Sequence, residues 1–158
     1  MSEKNACIEQ YTVLYDIYDH LNQKMFPKEE RLGDCMLIIN RKTKEPGFFK
    51  PKQWGKNGYI PEISLNPNLL GGSCLRWYLE LAHNMIHYWQ HKNGNSSRKG
   101  YHNTELSEKS DEVGMELLCI DGPKDKKTGQ IVTYSAVPNG LIINEYKFLE
   151  QNKIFLQN

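Results

Sequence analysis

Cysteine is scarce and dispersed in this chain. The four present, Cys7, Cys35, Cys74 and Cys119, form no C-x-x-C pair, which argues against both a zinc ribbon and a disulfide framework. Each reads as a small buried hydrophobe. No apolar run is long enough to span a bilayer, and the opening Met-Ser-Glu-Lys leads into no stretch of signal-peptide length. The expectation is a protein of the reducing cytoplasm with no membrane partner. Charge of one sign is also lacking. A formal net charge of +1 selects neither nucleic acid nor membrane by bulk attraction. Internal repeats and low-complexity segments are absent. What remains, 158 residues of which 39% are hydrophobic, suits one domain over 1–158 with a core that needs no staples.

Against that plain background the stretch from His83 to His102 stands out. It reads His-Asn-Met-Ile-His at 83–87, then Gly94, then Gly100-Tyr101-His102-Asn103. Two histidines four residues apart share one helix face, close enough for both imidazoles to grip one metal ion. A three-ligand zinc site needs one more donor and leaves its fourth position open. His102 is the natural candidate, because Gly94 can end the helix and let the chain fold back. Glu105, early in a following helix, is an alternative. His91 continues the four-residue spacing but is excluded. Eight residues of helix rise about 12 Å, too far for His83 and His91 to share an ion with His87. In the peptidase motif H-E-x-x-H the glutamate is the general base. Here its place is taken by Asn84, a carboxamide that can orient a water but cannot deprotonate it.

The chain resembles the SprT-like zinc metallopeptidases, the family of the Spartan-type proteases that act on DNA–protein crosslinks. The matching residues are Leu21-Asn22 with Phe26, Ile63 to Pro67, Leu81-Ala82-His83 with Met85 to Gln90, Gly94, Gly100 to Asn103, Glu105 and Gly114. They cover roughly residues 10 to 135 in the family's order. The resemblance implies an α+β, zincin-like fold, a small three-stranded sheet packed against an N-terminal helix and the helix bearing His83 and His87. It implies Zn2+ on His83, His87 and His102, with Glu105 and Tyr101 around the ligands, while the scattered cysteines lead to the expectation that the family's frequent C-terminal zinc ribbon is absent. Two positions depart from the pattern: Asn84, and Glu80 where the family often carries a small hydroxyl residue.

Taken in order, apolar residues at Cys7, Tyr11, Leu14, Tyr18, Leu21 and Met25 predict an amphipathic helix over 5–26, stopped before Pro27. His20 reads as a surface residue. Strands are expected at 35–39, around Phe48-Phe49 and over 59–65, the last at a sheet edge or a bulge because of Pro61. Ser73 is the expected N-cap of a helix to Asn93, whose polar side carries Glu80, His83, Asn84, His87 and His91. A second helix runs from the N-cap Asn103 to Val113. Beyond Gly114 the periodicity weakens. An exposed loop at 121–127, a strand over Ile131 to Tyr134 and a turn at 138–140 precede 141–155, which fits a strand or a helix equally.

Three functions are consistent with these residues. The first is zinc-dependent peptide hydrolysis, disabled or weakened at Asn84 if that residue replaces a native glutamate. Glu80, one turn earlier, is a remote substitute base. The second is a natural zinc-binding pseudoenzyme that holds a protein or peptide, by strand addition at the 59–65 edge, without cutting it. The third is nucleic-acid binding, to single-stranded or protein-crosslinked DNA. Arg41 to Lys56 is rich in lysine, with Lys50, Lys52 and Trp54 placed to track a backbone and stack a base. The bland alternative for that stretch is a solvated hairpin whose aromatics face the core.

Overall fold

The computed structural model describes residues 6–123, 126–152 and 154. Helix α1 (Ala6–Met25) ends where the proline at 27 forbids another turn, and a short 3-10 turn follows at Lys28–Glu30. Its inner face is Leu14, Ile17, Tyr18, Leu21 and Met25, which confirms the expected spacing. The side chain of Cys7 lies outside the described residues. Three strands come next, β1 (Met36–Ile39), β2 (Gly47–Trp54) and β3 (Ile60–Leu65), in the order β1-β3-β2, with β1 parallel and β2 antiparallel to β3.

β3 is therefore the central strand, not an edge. The expectation of an edge over 59–65 is corrected, and with it the idea that a peptide could add there. Pro61 is tolerated because β1 begins its pairing at Glu62, while the register with β2 slips between Lys50 and Trp54. The missing N–H thus breaks no ladder bond, and the bulge half of the expectation holds. The outer side of β1 is closed by α1: Tyr11 and Tyr15 hydroxyls accept the N–H groups of Ile39 and Leu37 at 3.0 Å each. β2, much longer than its Phe48-Phe49 signal, carries no strand on its outer side among the described residues.

Helix α2 (Cys74–Asn93) starts at its predicted cap, where Ser73 accepts the Arg76 N–H, and ends at Gly94. Its apolar side, with Tyr78, Leu81, Ala82, Met85 and Ile86, fills the centre of the core. The polar side is largely covered: Glu80 is 4% and Asn84 3% exposed, and only its end at His91 is exposed. β2 packs along this helix, as do α3 (Thr104–Glu112) and β5 (Val132–Ala136). β5 pairs antiparallel with β4 (Met115–Cys119), a strand the weak periodicity after Gly114 did not announce. Residues Leu141–Gln151 form helix α4, which settles the strand-or-helix choice. Ile142 and Leu149, seven apart, share its buried side. Phe155, and Lys124 and Asp125 of the expected exposed loop, lie outside the described residues. His20 is not a plain surface residue. Its ring stacks on Phe148 and its Nε2 meets Glu145 at 2.9 Å, tying α1 to α4. No described helix is long and apolar enough to cross a membrane.

Candidate metal centre

His83 and His87 face the same side of α2, one turn apart, as their spacing demands. The third histidine arrives from the loop before α3. His102 forms a two-way backbone bridge with Gly129, N–H to carbonyl at 2.8 Å and 3.0 Å, and its ring Nδ1 lies 2.9 Å from the same Gly129 carbonyl. Since that partner can only accept, Nδ1 carries the proton and Nε2 keeps its lone pair. That lone pair is aimed at the other two rings. The Nε2 atoms of His83, His87 and His102 stand 3.2 Å, 3.2 Å and 3.3 Å from one another.

These separations are compatible with a metal site. Nitrogens bound to zinc at 2.0–2.1 Å in a tetrahedral shell lie about 3.3–3.4 Å apart, and the triangle nearly matches one face of that shell. Protons do not satisfy it, because one N–H can bridge one pair of nitrogens and leave the third unpaired. The rings are also held neutral. Burial and the neighbouring histidines push His83 well below the ordinary imidazole value; burial, then His102, pushes His87 down to about 3; burial lowers His102 against the pull of the Gly129 carbonyl. Neutral imidazole is the ligand form. Three histidines of the described residues thus form one group able to hold a metal ion. His83 and His102 are buried and His87 is half-buried.

Asn84 faces a different partner. Its Nδ2 donates to the Glu80 backbone carbonyl and to Glu80 Oε1, both at 2.9 Å. Burial raises the Glu80 carboxyl to about 7, against the lowering influence of the Asn84 hydrogen bond and of Arg76. This carboxyl is packed against the backbone of β2: a β-carbon added at Gly47 would fall 2.7 Å from Glu80 Oε1. Glu80 is therefore a buried residue locked to Asn84.

Glu105 makes no contact with a histidine among the described residues. Its Oε1 accepts Gln90 Nε2 at 2.9 Å and the Asn95 N–H at 2.7 Å, while Asn103 Oδ1 accepts Gln90 Nε2 at 2.7 Å. Glu105 closes the loop that carries His102 rather than orienting a ring. Tyr101 lies in the same loop with the Arg98 guanidinium 4.3 Å over its ring. His91 stays outside the cluster, exposed and tilted on Phe49.

The lysine-rich stretch divides. Phe49 stacks on Tyr88 at 5.5 Å, as a core-facing hairpin requires, whereas Lys50 sits over Phe48 and Lys52 is exposed. Trp54 is 42% exposed, with its Nε1 donated to Glu62 Oε1 at 2.7 Å.

Two residues of the centre escaped the sequence reading. Gly129 holds His102, and Tyr134 of β5 lies nearly parallel on the His83 ring, centroids 4.7 Å apart at 15°. Only the Val-Thr-Tyr alternation of β5 hinted at Tyr134, and nothing local marked Gly129. No family model, curated protein or solved structure matches the chain. What the structure offers is three converging histidine nitrogens able to hold a metal ion.

Proposed function

We propose that this chain is a zinc-binding domain of the SprT-like metallopeptidase type, zincin-like in the way its sheet flanks the active-site helix, with peptide hydrolysis left short of a general base at Asn84. The carrying observation is the triangle of Nε2 atoms from His83, His87 and His102, 3.2–3.3 Å on a side. Imidazoles in this number and spacing suit zinc with an open fourth position. Bound there, zinc would polarise a scissile carbonyl and lower the pKa of water. The chain's own part is to hold three neutral rings in place and to offer an extended peptide the outer side of β2, which carries no strand among the described residues. A protein or peptide is thus the expected partner.

A second reading, a pseudoenzyme that binds without cutting, is favoured by one observation: both donors of the Asn84 carboxamide are spent on Glu80. Elemental analysis of protein purified without added metal tests the common premise, with one zinc per chain expected. His102→Ala should lower zinc affinity far more than His91→Ala. Metal lost from the His91 variant and kept by the His102 variant would overturn the ligand set. Incubation of zinc-loaded protein with unfolded substrates, read by mass spectrometry, separates the two readings.

A further inference from the structure

Metal-bound histidines ordinarily donate their second ring N–H to a carboxylate, carbonyl or water, which fixes the ring's orientation. His102 obeys, through Gly129. His83 does not. With Nε2 in the triangle its Nδ1 must bear the proton, yet Nδ1 is buried and has no hydrogen-bond partner. An unpaired buried N–H is costly, and nothing of hydrogen-bond type prevents this ring from turning. What does lie against it is the Tyr134 ring, stacked at 4.7 Å and 15°. The Tyr134 hydroxyl makes no hydrogen bond among the described residues, so its contact with His83 is through the ring face.

We propose that Tyr134 is the positioning residue of His83: an aromatic stack takes the place of the missing hydrogen bond, fixing the plane of this ring so that Nε2 points into the triangle. The inference rests on the metal-site reading. Its physics has two parts. A parallel ring at stacking distance resists rotation of the imidazole about its last side-chain bond. Ligation also draws electron density from the imidazole, and the negative face of a phenol ring favours the more positive partner. β5 is thereby part of the metal centre although it supplies no ligand.

The stack predicts an order of variants. Tyr134→Phe keeps the ring and should keep zinc affinity within about twofold. Tyr134→Leu removes the aromatic face and should weaken zinc about tenfold, the lower end of the range for losing such a support. It should also alter the visible spectrum of the cobalt-substituted protein, which a general loss of stability with intact ligand geometry would not do. Affinities are measured by competition with a chromophoric chelator, with circular dichroism to confirm that each metal-free variant is folded. Should the leucine variant fail to fold, proton NMR of the zinc-loaded wild type decides: the carbon-bound ring protons of His83 should lie upfield of those of His87 through the Tyr134 ring current, in wild type and Tyr134→Phe alike. Leucine-variant affinity and cobalt spectrum equal to wild type, or no upfield shift at His83, overturns the proposal. So does a phenylalanine variant as weak as the leucine one, which would place the effect in the hydroxyl. Wild-type protein that takes up no metal overturns the metal-site reading itself, a result distinguishable from all of these.

Discussion

Asn84 and Glu80 behave as a single unit, one turn apart on α2 and joined by a hydrogen bond in a place water barely reaches. Any attempt to restore a base at position 84 must reckon with its neighbour. In Asn84→Glu two carboxyls would face each other, and like charges at that distance do not both ionise, so one proton is shared near neutral pH. Asn84→Glu alone should therefore gain only modest zinc-dependent cleavage of unfolded protein or of itself. Combined with Glu80→Ser it should approach the full contribution of a general base, about 10² to 10⁴ in rate. Chelator should abolish both activities. A single variant as active as the double one would show that Glu80 does not interfere. Glu80 also makes a prediction about pH. Its carboxyl titrates at about 7 in the fold against 4.5 in the ordinary state, so the folded protein holds the proton more tightly. The stability this provides is complete below about pH 4.5 and is lost as pH rises through about 7. The histidines push the other way, since their lowered values favour the fold above their ordinary 6.5. The comparison must therefore be made against Glu80→Gln. Its gain over wild type in urea midpoint should be larger at pH 8 than at pH 5, and a pH-independent difference would count against a buried, titrating Glu80.

At the scale of the elements, what the sequence made legible is what local spacing encodes. The Ser73 cap, the i, i+4 histidines and the stop at Gly94 wrote α2 into the chain, and a 3.6-residue period wrote α1. The burial of polar residues on α2 was not legible, because periodicity tells which side is less apolar, not whether another element covers it; β2, α3 and β5 do. Pro61 pointed to an edge, since a lone strand shows its missing donor but not the short β1 that stops beside it. The third histidine of the cluster was legible through motif spacing, while its support was not, because Gly129 lies 27 residues beyond His102. That support is testable. A β-carbon at Gly129 would fall 2.6 Å from Cys119 Sγ and 3.2 Å from Asp121 Oδ1. Gly129→Ala must therefore displace the Cys119 side chain or shift the 129 backbone, whose φ of 156° side-chain-bearing residues rarely adopt, and a backbone shift moves the bridge to His102 with it. Overpacking of this kind costs about 1–3 kcal/mol, and here zinc affinity should fall as well. Unchanged zinc affinity in a destabilised Gly129→Ala protein would separate the bridge from the metal centre.

Over the whole molecule, charge is the property that distinguishes protein binding from nucleic-acid binding. The chain is balanced at +1, so a long-range field does not draw it to a polyanion, and any affinity must come from one surface. The outer part of β2 is the best supplied: the register slips between Lys50 and Trp54 with Lys52 inside the irregular stretch, Lys52 and Trp54 are exposed, and Arg41, Lys42, Lys44 and Lys56 lie in the adjoining loops. Two features limit it. Lys50 is engaged over Phe48, and Trp54 is held at its indole nitrogen by Glu62, which leaves one edge of that ring occupied and places a carboxylate where a phosphate would pass. Binding to single-stranded DNA should accordingly be weak and steeply dependent on salt. For single strands each phosphate contact contributes about 0.7 to the slope of log affinity against log salt concentration. Lys50→Glu with Lys52→Glu should therefore flatten the slope by about 1.4 if both lysines contact phosphate, and should weaken binding similarly for all sequences. Trp54→Ala should instead lower affinity with little change of slope, because stacking releases no counterion. A slope unaltered by the double reversal would remove β2 as a nucleic-acid surface.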